Sequence, residues 1–95
     1  VAKRKSKDQQ FIDDMIRCRG IDFARIGMMV EVYGDLGTIV GMNGSANLDV
    51  VFANQLKYGK HPDNCHPFDE VKYFDKSGAV IADYTTAAEA QEKAL

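Results

Sequence analysis

His61, Cys65 and His66 stand in one short stretch with Asp63 and Asp69 beside them. Imidazole nitrogen, thiolate sulfur and carboxylate oxygen are the ligands of zinc. A cysteine near a histidine could also form an activated thiolate. The spacing serves neither chemistry well. His-x-x-x-Cys-His matches no standard structural zinc motif, and adjacent residues of an extended segment point to opposite sides. The expectation is a core-facing Cys65 thiol and a surface His66 imidazole, with no metal and no cofactor. A catalytic thiolate also needs a shaped pocket, which one loop on a small domain hardly provides, and no triad or carboxylate pair stands elsewhere. Gly34 and Gly37 sit in a hairpin pattern and not between a strand and a helix, so they form no phosphate loop. The chain therefore reads as a binding protein and not as an enzyme.

Recognition chemistry has better material. Tyr33, Tyr58, Lys60, Phe68 and Lys72 combine aromatic area with charge, the usual composition of interface anchors. Tyr58 lies in a stretch rich in Gly, Pro and Asn, where no strand pattern asks for an aromatic, so it is expected to serve a ligand and not the core. A nucleic-acid reading uses the basic cluster Lys3, Arg4, Lys5 and Lys7 for phosphates, with Lys57 on the aromatic surface for stacked bases. A protein partner is preferred. Glu31, Asp35 and Asp49 crowd the hairpin region, and the formal net charge is −2.

These residues must be positioned by short elements. Ser6-Lys-Asp-Gln9 is a capping box, and Phe11, Ile12, Met15 and Ile16 make one apolar stripe. Gly20 can end the helix in the left-handed conformation. A helix over 6–19 follows a basic arm at 1–5. Val30 and Val32 alternate with Glu31 and Tyr33 in a first strand. Gly34-Asp35-Leu36-Gly37 reads as the turn, Thr38–Met42 as the second strand, and Gly41 as a bulge or bend. Asn43-Gly44 is a type I′ hairpin signal, leading to a third strand at Leu48, Val50 and Phe52. Residues 53–67 read as a long irregular loop. Two strands, near 68–74 and 79–84, form a last hairpin. A short fraying helix over 86–95 opens on the capping pattern Thr86-Ala-Ala-Glu89. The expected core is Val30, Val32, Ile39, Leu48, Val50, Val71 and Val80.

With 95 residues the chain is read as a single domain over 1–95 with a small core. No apolar run approaches a membrane span, and no apolar segment follows the basic start as in an export signal. The two cysteines are too few for a disulfide scaffold, so a reducing, cytoplasmic setting is expected.

The segment from Gly27 to Phe52 resembles the KOW-type motif of SH3-like barrels. Gly27 precedes the first strand, Val30 and Val32 are its inward pair, Gly34 and Gly37 make the glycine turn, and Ile39 or Val40 follows. The resemblance implies a mainly β fold: a small SH3-like barrel of about five strands over 27–84, with the N-terminal helix packed on it. The acidic residues near the turn depart from the basic pattern of ribosomal KOW domains. A longer pattern, from Gly27 to Gly41 and from Asn64 to Asp75, looks like small uncharacterised proteins of phage and prophage genomes. It implies a bacterial or phage origin and brings no activity with it. The acidic balance, exposed aromatics and short edge strands lead to the expectation of a non-enzymatic module that binds a host or phage protein.

Overall fold

A computed structural model describes residues 6–86. The basic arm (Lys3, Arg4, Lys5) and all but the first residue of the expected C-terminal helix lie outside the described residues.

Helix α1 (Lys7–Arg19) starts where Ser6 Oγ accepts the Gln9 N–H at 3.1 Å, the contact that a serine cap supplies. It stops at Gly20, which adopts φ 67° and donates to Ile16 O. Phe11 and Met15, four residues apart, are buried. Ile16 was expected in the same stripe but is 47 % exposed. One residue is about 100° of helix rotation, enough to carry it off the buried face. Arg19 closes the helix by donating to Ala46 O at 2.9 Å and to Asn47 Oδ1 at 2.9 Å.

Among the described residues six strands follow: β1 (Met29–Val32), β2 (Asp35–Met42), β3 (Leu48–Phe52), β4 (Asp63–Cys65), β5 (Val71–Phe74) and β6 (Val80–Asp83). They form one antiparallel sheet in the order β4-β3-β2-β1-β5-β6. The sheet is open, not the closed barrel expected, and it has six strands where about five were expected. The added strand, β4, lies in the stretch read as irregular. Three residues after a proline are too few to show a period of two, and only pairing with β3 (Leu48↔Cys65, Val50↔Asp63) reveals them.

Alternation places Val30, Val32, Ile39, Leu48, Val50, Phe52, Cys65, Val71 and Tyr73 in the core, where α1 adds Phe11 and Met15 and the connector adds Ile21 and Ala24. Val80 does not join them and is 50 % exposed. β6 is an edge strand opposite Phe74, and its register slips there, with Tyr73 facing Ala82 and Phe74 facing Val80. A second slip falls between Ile39 and Gly41 in β2, where a bend was expected at Gly41.

The first turn is Tyr33-Gly34, with φ 50° and 83°, and not the four residues from Gly34 to Gly37. Positive φ at both central residues is the type I′ pattern, whose twist matches the flanking strands. Gly37 thus falls inside β2, opposite Phe52. A Cβ there would lie 2.5 Å from Val50 Cγ1 and 3.1 Å from Val51 O. Gly37→Ala should therefore cost about 1–3 kcal/mol through overpacking. A urea titration with an unchanged midpoint would show that β3 can recede.

The second hairpin also differs from the expected Asn43-Gly44 turn. Residues 43–47 form a longer connection in which Ala46, not a glycine, takes φ 60°. Asn43 imposes this by accepting from Ser45 N at 3.0 Å and Asn47 N at 3.3 Å through Oδ1. Among the described residues no helix is long and apolar enough to cross a membrane.

Candidate functional site

The short helix α2 (Gln55–Tyr58) organises the surface on which chemistry-bearing residues meet. Asn54 Oδ1 accepts the Lys57 N–H at 3.2 Å. The Tyr58 ring stacks on Phe52, with centroids 4.2 Å apart and planes at 25°. Its hydroxyl donates to the Asp35 carboxylate, and Lys57 Nζ lies 3.1 Å from the same oxygen. The Tyr58 hydroxyl, followed by Lys57, holds the Asp35 carboxyl below the usual carboxylate range. These contacts pin α2 to the start of β2.

On one side of Tyr58 lies a cleft of about 350 Å³. Val32, Phe52 and Cys65 give it apolar surface, and Tyr33 and Tyr58 give it rings. Asp63, Asp69 and His66 add polar groups. Tyr33 donates its hydroxyl to Asp69 Oδ2 at 2.6 Å, a bond that raises its own pKa. Asp63 Oδ1 is 3.6 Å from His61 Nδ1. Asp63 Oδ2 is shut off from solvent and has no hydrogen-bond partner among the described residues. A second depression of about 320 Å³ is lined by Met29 of β1, Leu36 of β2, Val51 of β3 and Gln55 at the start of α2. Leu56, beside Gln55 on α2, is 103 % exposed.

Of the five expected binding residues, the cleft brings together Tyr33 and Tyr58. Phe68 instead packs edge-on against Tyr84, with centroids 4.9 Å apart. Lys72 sits on the outer face of the sheet, between Glu31 of β1 and Asp83 of β6. Lys60 is exposed and does not line the cleft. Tyr58 departs from the expectation that it has no packing role: it is half-buried against the core and stacked on Phe52. That contact comes from the chain doubling back after β3, which a local pattern does not reveal. Leu56 was missed because a single leucine in a polar stretch carries no period. Of the cations in the nucleic-acid reading, Lys57 is paired with Asp35, and Lys7 begins α1.

The His61–His66 cluster does not assemble. Cys65 is buried, and its thiol lies 3.8 Å from Asp63 O. His66 is exposed and accepts the Phe68 N–H through Nδ1 at 3.2 Å, which caps the next turn. Among the described residues no three His, Cys, Asp or Glu side chains converge as a metal set. Burial, reinforced by Asp63, Asp49 and Asp69, pushes the Cys65 thiol from 9.0 to about 11, so it carries a proton at neutral pH.

A group that keeps its proton longer when folded stabilises the fold below its unfolded pKa and loses that contribution as pH rises through the folded one. Stability should therefore fall between about pH 9 and 11. Cys65→Ala should flatten this fall in urea titrations at several pH values. An unchanged slope would assign the alkaline loss to other groups.

Comparison with protein families, with curated proteins and with solved structures finds no match to this chain, and the functional reading rests on the geometry of the cleft and of α2.

Proposed function

We propose that the chain is a non-enzymatic interaction module that binds another protein through the surface around α2. Leu56 carries this reading: it is a fully exposed leucine on a helix pinned at Tyr58 and Lys57. A lone exposed apolar residue is ordinary on a mobile loop. Carried on a backbone pinned through Tyr58 and Lys57, between an apolar depression that Gln55 lines and a cleft that Tyr58 lines, it has the form of an interface anchor whose backbone needs little ordering on binding. The open sheet with its bent β2 is read as an opened SH3-like barrel whose β1–β2 hairpin is KOW-like. The phage or prophage pattern in the sequence suggests a host or phage protein as the partner. Nucleic acid is the weaker reading, because Asp63 and Asp69 line the cleft and Lys57 is neutralised by Asp35.

The test compares the wild type with Leu56→Ser in capture from bacterial lysate, with nuclease added. A protein retained by the wild type should bind the variant about fivefold or more weakly, since a central anchor is worth roughly 1 kcal/mol or more. The variant's thermal midpoint should stay unchanged. Equal capture by both forms would move the interface elsewhere. Capture lost to nuclease, or falling steeply between low and moderate salt, would favour nucleic acid.

A further inference from the structure

Asn43-Gly44 announces a type I′ turn that the fold does not build. In that turn glycine is present for its positive φ, and here Ala46 takes the left-handed conformation instead. Gly44 stays outside the positive-φ region, and a Cβ added to it would meet nothing within 4 Å. Neither the backbone conformation nor the packing therefore asks for glycine at 44. The residue is exposed, and its N–H donates to no acceptor among the described residues.

What glycine provides at 44 is chemical. An unhindered main-chain nitrogen next to an asparagine can attack the side-chain amide. The Gly44 N–H loses its proton to base, and the nitrogen bonds to Asn43 Cγ. The Cγ–Nδ2 bond breaks, and Nδ2 leaves as ammonia with a proton from water. Water then opens the succinimide at either carbonyl. One opening gives aspartate, and the other gives isoaspartate, with the main chain rerouted through the side chain. The sum is asparagine plus water to aspartate or isoaspartate plus ammonia, and water is the sole co-reactant. The other asparagines, Asn47, Asn54 and Asn64, precede Leu48, Gln55 and Cys65, whose side chains hinder the same attack.

The fold holds this reaction back. Asn43 Oδ1 accepts from Ser45 N and Asn47 N. Its Nδ2 donates to Asp49 Oδ1 at 3.2 Å and to Asn64 Oδ1. The main chain is set by Asn43 N–H donating to Asn47 O and Ala46 N–H donating to Asn43 O, both at 3.0 Å. Ring closure must turn the amide and the torsion between Asn43 and Gly44, so these bonds open first. The same network joins three elements, because Arg19 reaches it from α1, Asp49 from β3 and Asn64 from β4. In aspartate at 43 the donor Nδ2 becomes an acceptor oxygen facing the oxygens of Asp49 and Asn64. Like charge and a lost donor both weaken the network.

We infer that Asn43 is a self-modification site, deamidated by the Gly44 nitrogen when the turn opens, and that the product loosens the junction of α1, β3 and β4.

The test follows the full chain by peptide mapping at mildly alkaline pH, in native buffer and in urea, with fragmentation that separates aspartate from isoaspartate. Asn43 should be converted ahead of Asn47, Asn54 and Asn64 in both solvents. The folded chain should react about tenfold or more slowly than the unfolded one, because only the opened turn reacts. Asn64→Ala removes an Nδ2 partner and should speed the reaction several-fold in native buffer but not in urea. Gly44→Ala should slow it several-fold in both, with a thermal midpoint unchanged or slightly raised. The modified chain, separated on an anion exchanger by its extra negative charge, should unfold at a lower temperature than the unmodified one.

Conversion of another asparagine ahead of Asn43, or an equal rate in Gly44→Ala, would overturn the site. Equal rates in native buffer and urea, or in Asn64→Ala and the wild type, would overturn the gating by the turn. An unchanged midpoint in the modified chain would overturn the loosening of the junction.

Discussion

Tyr73→Ala is expected to destabilise the protein by about 3–5 kcal/mol, the range for removing a fully buried aromatic side chain. Tyr73 is completely buried on β5, next to β1 in the middle of the sheet. Its ring meets Phe23 edge-on, with centroids 5.0 Å apart, and Tyr84 at 6.1 Å. Its hydroxyl donates to Pro67 O at 2.7 Å, which ties the segment after β4 to the core. Truncation would open a cavity and leave that carbonyl without its donor. Total stability for a domain of this size is about 5–15 kcal/mol, so the loss is a large share. Tyr73→Phe separates the two contributions, because it keeps the ring and removes only the bond, at about 1–3 kcal/mol for a buried acceptor left unpaired. Denaturant titrations of both variants measure the difference. If Tyr73→Phe cost as much as Tyr73→Ala, the Pro67 bond and not the ring would hold this region.

The elements that the sequence announced are those whose signal is local. Ser6 and Gly20 mark the ends of α1 because a cap is a contact within one turn. Val30 and Val32, or Leu48, Val50 and Phe52, alternate because one face of their strands meets the core. The elements that it hid depend on distant partners. β4 is a strand only because β3 lies beside it. Tyr33 sits at positive φ, an uncommon place for a tyrosine, so the turn appeared to begin one residue later. Gly37 looked like a turn residue, yet it is small because Val50 and Phe52 crowd it from β3.

The candidate site divides the same way. Tyr33 and Tyr58 were legible as residues that could bind something. Asp63 and Asp69 were legible only as part of a metal-like cluster with His61, Cys65 and His66. Two features place them in one cleft with the tyrosines. β4 pairs with β3, and the chain turns at Glu70, which takes φ 53° and accepts the Tyr33 N–H at 3.0 Å. Both are long-range consequences of the sheet order. The same segment that does not form a zinc motif contributes Asp63, Cys65 and Asp69 to the lining of the cleft, with Asp63 and Cys65 on one face of β4.

Leu48→Ala and Leu56→Ala make the same chemical change at opposite extremes of burial, and they should differ by several kcal/mol. Leu48 is fully buried at the start of β3, between Met42 on β2 and Cys65 on β4. Its truncation should cost about 2–5 kcal/mol, the transfer free energy of the lost atoms plus the cavity they leave. For a domain of this size each kcal/mol lowers the thermal midpoint by about 4–8 °C. Leu56 touches little and should change stability by no more than about 0.5 kcal/mol. The comparison tests two registers at once. Pairing shifted by one residue would turn Leu48 to the outer face and Asp49 inward, and Leu48→Ala would then cost no more than Leu56→Ala. Thermal and urea unfolding of the two variants side by side decide between these outcomes. A small loss at Leu48 would also dislodge Cys65, its partner across β3 and β4, and with it the apolar wall of the cleft.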